Sequence, residues 1–187
     1  MVQPIFVPLI VVGAAVLVAA VIDFWKFKVY NLLTFPLLLT GVCYHGIMEG
    51  SAGVTESLVS AFFGMGVLIV FYTMGGVGAG DVKLLAAVGA WLKLPETFWV
   101  FVASSLAAGV YAVVLILYTG RMRETWVNLR ILWFRLLAVG RHLGAEDHVE
   151  TELRREDRRT RVIPFAAMVA VGMLSLGVAW CMGMGRP

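Results

Sequence analysis

Apolar residues run along this chain in blocks too long and continuous for a soluble fold, and the polar residues fall between them. The blocks cover residues 4–22, 32–48, 55–74, 82–94, 97–118 and 162–184. Crossing a hydrocarbon layer ~30 Å thick takes about 20 helical residues, and most of the blocks fit. The fourth does not: about a dozen residues reach only ~18–20 Å. It follows Gly75-Gly76-Val77-Gly78-Ala79-Gly80, so irregular backbone is expected to dip toward the membrane there. Such backbone is tolerated only where it is buried in protein or lines a wet cavity. The pattern predicts an all-α, polytopic membrane protein with about six transmembrane helices, built as one membrane-embedded domain over residues 1–187.

Composition agrees. Sixty per cent of the residues are apolar and 14% charged, with mean hydropathy +0.89. No soluble domain of this length has the interior to hide that much hydrocarbon. The first 22 residues carry no Lys or Arg, so they lack the basic start of a secretory signal and read as a retained first helix.

Charge sets the orientation. With connections placed alternately on the two sides, Lys26, Lys28 and the long 119–161 loop share a side. That loop holds Arg121, Arg123, Arg130, Arg135, Arg141, Arg154, Arg155, Arg158, Arg159 and Arg161. Twelve of the 15 basic residues lie on this side, and thirteen if Lys83 is included. The excess makes it cytoplasmic and puts both termini, Glu49, Glu56, Lys93 and Glu96 on the other side. Within the loop, Trp126 to Val139 is apolar with arginines spaced along it, the pattern of an interfacial amphipathic helix. The stretch from Glu146 to Arg161 mixes charges of both signs and reads as a solvated helix.

Two acids stand out against this background. Asp23 ends the first block, and Asp81 closes Gly78-Ala79-Gly80-Asp81-Val82-Lys83 just before the fourth. Ionisable groups at the membrane edge are costly, and their default reading is functional. Each also has a plain structural role open to it. Asp81 can cap a helix, and Asp23 can pair with Lys26 one turn on. The topology nevertheless places both acids on the cytoplasmic side. Two carboxylates that meet can hold one proton between them, as in aspartic proteases, one activating water while the other donates to the scissile group. Gly78 and Gly80 would let an extended substrate backbone approach closely. Lys83 could bias Asp81 toward ionisation or snorkel to lipid headgroups.

Other chemistry finds little support. Cys43 and Cys181 are the only cysteines, and with no C-x-x-C pair they read as structural thiols. His45, His142 and His148 are scattered, so no metal site is expected. The glycine run lacks the Gly-Lys-Ser/Thr ending of a phosphate loop, and no cofactor is expected. The expected partner is the bilayer, with no nucleic acid.

Gly78-x-Gly80-Asp81-x-Lys83-Leu84 followed by Gly89-Ala90-Trp91-Leu92 resembles the type IV prepilin peptidases, intramembrane aspartic peptidases of the GxGD class. Asp23-Phe-Trp-Lys26-Phe-Lys28-Val29-Tyr30-Asn31 resembles that family's first aspartate, with its basic stretch and Ile-Pro-Asn triplet. It departs from the family at Val29 and Tyr30, and Lys93 stands where glycine is common. Arg161-Val-Ile-Pro164-Phe165 resembles the entry to the family's last helix. The short chain, without a cysteine-bearing insert, is similar to the compact type serving tight-adherence (Flp-like) pili. The resemblance implies an aspartic endopeptidase of the bacterial inner membrane. It would remove short basic leaders from prepilin-like proteins at the cytoplasmic face, using Asp23 and Asp81, with Gly78, Gly80, Lys83 and Asn31 as motif and substrate-approach residues. Methylation of the new N-terminus is not carried over.

Two other classes compete. A small proton- or cation-coupled transporter would also carry membrane acids and a broken helix, although these acids lie at one rim and no inverted repeat is visible. A non-catalytic scaffold of a pilus or secretion machine would tolerate loss of either acid.

Overall fold

The computed structural model describes residues 6–26, 30–73, 77–119 and 165–182. They form α1 (Phe6–Lys26), α2 (Asn31–Thr73), α3 (Ala79–Thr119) and α4 (Phe165–Cys181). The expected helices at 126–139 and 146–161 lie outside the described residues. The fold is all-α, and α2 and α3 are each long and apolar enough to cross a membrane. Large apolar side chains such as Ile10, Leu17, Phe62, Trp99 and Leu106 are exposed on the bundle's outside.

Four helices account for six apolar blocks because α2 and α3 each hold two. A straight helix of α2's length would extend ~65 Å. Gly50 breaks it with φ 67° and ψ −147°, and the chain turns back on itself. The Gly53 Cα lies against the His45 carbonyl, a pair that a straight helix would hold ~12 Å apart. Gly53 has no side chain to prevent that approach.

α3 breaks at Lys93, the non-glycine residue with positive φ among those described (φ 63°, ψ 177°). This region of backbone space is nearly glycine-only, and holding another residue there costs about 1–3 kcal/mol. The Lys93 ammonium lies 2.6 Å from Glu49 Oε2 and 2.8 Å from Glu56 Oε2, tying the α3 break to the α2 turn. Pro95 follows in the first turn of the new helical segment, where its missing N–H has no helical partner to lose. Lys93→Ala loses the ion pairs and keeps the strain, whereas Lys93→Gly loses the same pairs and relieves it. The glycine variant should therefore be the more stable of the two by about 1–2 kcal/mol, measured by denaturant unfolding in micelles. Equal stabilities would show that the backbone at 93 carries no strain.

The segment of α3 before Lys93 is the central helix of the bundle. Leu84 through Leu92 are all buried, as expected for a run with no polar face. It meets α2 through small residues: a Cβ on Gly64 would stand 2.6 Å from the Leu85 carbonyl oxygen, and one on Gly89 would collide with the Ser60 carbonyl. Ser57 Oγ donates to the Ala90 carbonyl at 2.6 Å. Near the break, Trp91 Nε1 donates to the Leu37 carbonyl at 2.7 Å. Its ring fills the notch at Gly41 and stacks on Tyr44. His45 is buried. Its Nε2 lies 2.9 Å from the Trp91 carbonyl, one of the last carbonyls before the break, which have no helical donors of their own.

α1 packs mainly on α4 and only lightly on α2 and α3. Val12, Val16 and Ala19 join Ala166, Val169, Met173 and Leu176 in the core. Gly172 brings α4 against the Val100 carbonyl and Ser104 of α3. Cys43 and Cys181 are both exposed and unbridged.

Candidate active site

Asp23 continues the buried stripe of α1. Val12, Val16, Ala19 and Asp23 recur at steps of four, three and four, which stack on one helix face, and all four are buried. Asp23 is only 5% exposed, and its Oδ2 accepts from the Ala166 backbone N–H at 3.2 Å. That amide belongs to the first turn of α4, where backbone N–H groups lack helical partners and favour negative charge. The Lys26 side chain, the partner expected for Asp23 from sequence, lies outside the described residues.

Asp81 sits differently from a simple N-cap. α3 begins at Ala79, earlier than the apolar block alone predicts, because Gly78 supplies the cap. The Gly78 carbonyl accepts from the Asp81 and Val82 N–H groups at 3.1 and 3.3 Å. Asp81 Oδ2 in turn accepts from the Gly78 N–H at 3.2 Å. An acid in the first turn reaching back to the cap residue is the reciprocal half of a capping box. Gly80 lies inside this first turn, so the irregular backbone expected through Gly80 gives way to helix at Ala79. A Cβ on Gly78 would stand 3.2 Å from Asp81 Oδ2, close enough to crowd the carboxylate.

The two carboxylates come from helices distant in sequence, yet Asp81 lies within the electrostatic field of Asp23. Both sit at the positive end of a helix, Asp23 at that of α4 and Asp81 at that of its own α3. Beside them, Lys83 Nζ donates to Asn31 Oδ1 at 2.9 Å and lies 5.5 Å from the centre of the Phe35 ring. The Lys83 side chain therefore reaches across to α2, which neither sequence expectation for it included. The six residues singled out in the sequence thus gather at one end of the bundle, where α1 ends and α2, α3 and α4 begin. Sequence reasoning missed the Ala166 amide. Its one signal was the neighbouring Pro164-Phe165 pair, and a backbone donor leaves no trace in side-chain identity.

Two shallow apolar hollows line α1 near Asp23, one formed by Leu17, Val18, Val21 and Ile22, the other by Val21, Ile22, Trp25 and Tyr30. At 100° per residue the α1 side chains among these point away from Asp23, so neither hollow is lined by Asp23 or Asp81. No group of His, Cys, Asp and Glu among the described residues is arranged to hold a metal ion.

The sequence profile of the type IV leader peptidase family matches residues 10–113, a stretch that includes Asp23, Asn31, Gly78, Gly80, Asp81 and Lys83. Several curated proteins named prepilin leader peptidase/N-methyltransferase are similar. That of Burkholderia pseudomallei (strain K96243) is 34% identical over 119 residues, covering 59% of this chain and 37% of that protein. That of Aeromonas salmonicida (strain A449) is 36% identical over 103 residues, covering 51% and 35%. That of Escherichia coli (strain K12) is 34% identical over 106 residues, covering 53% and 47%. The matched stretch is less than half of each relative's length. No solved structure matches the chain.

Proposed function

The chain belongs to the type IV leader peptidase family, and on that premise we propose that it is a membrane aspartic endopeptidase with Asp23 and Asp81 as its catalytic pair. It removes the short basic leader of prepilin-like proteins at the cytoplasmic face of the bacterial inner membrane. The observation that supports this reading is that the Asp23 end of α1 and the Asp81 start of α3 lie at the same end of the bundle, near enough for the charge of Asp23 to act on Asp81. The six apolar segments separated by the Gly50 and Lys93 breaks and by the helix ends are six membrane spans. The basic 119–161 loop lies in the cytoplasm. The N-methyltransferase part of the relatives' name is not part of this proposal.

In the proposed reaction, one carboxylate is ionised and the other protonated. The ionised one takes a proton from a water as the water oxygen bonds to the scissile carbonyl carbon. The other gives its proton to the carbonyl oxygen, leaving a neutral gem-diol. The diol then collapses. The C–N bond breaks, the leaving nitrogen takes the first proton, and a diol O–H returns the second. The products are a leader ending in a carboxylic acid and a mature protein with a free amine, and the pair is reset; the acid then loses its proton to water or to the amine. A substrate anchored by its own apolar helix presents its leader at the membrane rim, the depth at which the two aspartates lie.

The test uses the purified protein in vesicles with a full-length prepilin-like substrate, and mass spectrometry of the new N-terminus. A single cut between the basic leader and the apolar helix is expected. Folded protein that leaves a panel of such substrates intact, while conducting protons or cations across the vesicle, would replace the peptidase reading with the transporter.

Orientation has its own test. In a background lacking Cys43 and Cys181, a cysteine at His148 should be shielded from an impermeant external thiol reagent in intact cells and react after the membrane is opened. Labelling from outside would invert the topology and move the site to the other face.

A further inference from the structure

Phe165 takes no part in the reaction described above, yet it links the surroundings of the two aspartates. It opens α4, and the next residue, Ala166, gives its backbone N–H to Asp23. The Phe165 ring packs against the buried cluster of Leu68, Val82 and Leu85. Val82 follows Asp81 directly in the chain. Two consecutive residues of α4 therefore meet, one the carboxylate of Asp23 and the other the helical turns that carry Asp81.

The start of a helix allows this division. A first-turn N–H points along the axis, out of the N-terminal end. A side chain leaves the helix sideways and leans toward the same end. Ala166 can thus address α1 while Phe165 addresses α3. The ring also packs against the larger core in which Val16 and Ala19 of α1, Val88 of α3 and Val169 of α4 meet. Further along α4, Gly172 lies against the Val100 carbonyl and Ser104 of α3. That contact holds the middle of α4, ~9 Å along the axis from Ala166, and Phe165 holds its start.

We propose that Phe165 is a positioning residue for the catalytic pair. Its ring anchors the start of α4 to the first turns of α3, and so sets where the Ala166 N–H holds Asp23 relative to Asp81. A ring that only sealed the end of the bundle would add stability and leave the spacing of the carboxylates alone. The inference rests on the aspartates as the reactive pair, as proposed above, but its structural arm does not depend on that.

The experiment combines spin labels with kinetics. In a background lacking Cys43 and Cys181, nitroxides at Trp25 and Ala79, both exposed, report the separation of the end of α1 from the start of α3 in vesicles. Phe165→Ala should broaden or shift the distance distribution. Leu176→Ala is the control, a buried core position on the same helix, ~15 Å along the axis from Phe165, and should leave the distribution as in wild type. In the unlabelled proteins, Phe165→Ala should lower kcat for leader cleavage per folded molecule by about 10–100-fold with KM changed less than about threefold. Phe165→Leu, which keeps a large apolar side chain, should stay within about fivefold of wild type. Should Phe165→Ala yield no folded protein, Phe165→Val is read in its place. An unchanged distance distribution overturns the proposal. So does an equal loss of kcat in Leu176→Ala, which would mean general loosening, or a raised KM with retained kcat, which would make Phe165 a substrate contact. If the distances respond as expected but no protein, wild type included, cleaves a substrate, the positioning stands and the peptidase reading fails.

Discussion

Replacing either aspartate by asparagine is expected to lower the rate of leader cleavage by about 10³-fold or more while leaving the protein inserted and folded. Asparagine keeps the shape of the side chain but neither ionises nor carries an acidic proton. The reaction needs both states at once, so losing either partner disables the pair. Effects of groups that act together are far from additive, and the double variant Asp23→Asn/Asp81→Asn should be little slower than either single one. The structure also explains why folding should survive. Asp23 makes one backbone hydrogen bond, to Ala166, and Asp81 one, to Gly78. An asparagine carbonyl can accept either of them. Single-turnover cleavage per folded molecule, with folded yield from size-exclusion chromatography, measures both quantities. A single variant within about tenfold of wild type would remove that residue from the catalytic pair.

The largest effect on stability is expected at the seam between α2 and α3. Gly64→Val places a branched side chain where a Cβ alone would stand 2.6 Å from a backbone carbonyl oxygen of Leu85 and 2.9 Å from its carbon. Backbone cannot move aside as a flexible side chain does, so the helices must separate. The separation also disturbs the Ser57–Ala90 bond and the close approach of Gly89 to Ser60. Overpacking of this kind costs about 3 kcal/mol, and in a bundle held by small-residue contacts the loss spreads along the seam. Gly66→Val is the matched control, two residues away on the same helix, with nothing within 4 Å of its Cβ. Unfolding by denaturant in mixed micelles should show Gly64→Val far below wild type and Gly66→Val within about 1 kcal/mol of it. Equal behaviour of the two variants would mean that the seam is looser than these distances.

How much of this was legible in the sequence depended on what each feature leaves behind. The apolar blocks marked the helical segments because hydrocarbon length is written directly in residue number. The break at Gly50 was visible only as a gap between blocks, since a glycine does not announce the sign of its φ. The break at Lys93 was harder to see. A lysine is a poor choice for that backbone, and its position is understood only with Glu49 and Glu56 in place. Asp23 and Asp81 stood out because acids are rare among apolar residues. Which way Asp23 faces was not legible, because α1 is apolar all round and its buried stripe of Val12, Val16, Ala19 and Asp23 emerges only from packing on α4. The start of α3 was misjudged because Gly78-Ala79-Gly80 reads as irregular chain, whereas a cap glycine and a reaching carboxylate together begin a helix there. The partners that cross between helices were not legible. The Asn31–Lys83 bond, the Ala166 amide on Asp23 and the His45–Trp91 contact depend on tertiary packing, and periodicity along one helix says nothing of which residue lies opposite.

The measurement that bears most directly on the pair is labelling by a carboxyl-directed epoxide carried on a leader-like peptide. Esterification at a dyad needs both groups at once. The ionised carboxylate attacks an epoxide carbon, the ring C–O bond opens, and the protonated carboxyl gives its proton to the departing oxygen, leaving an ester and an alcohol. Peptide mapping by mass spectrometry should find one ester per inactivated molecule, on Asp23 or Asp81. Asp23→Asn should abolish labelling of Asp81, and Asp81→Asn that of Asp23. An aspartate labelled as fast in the partner's asparagine variant as in wild type would show that the two carboxyls do not act as a pair.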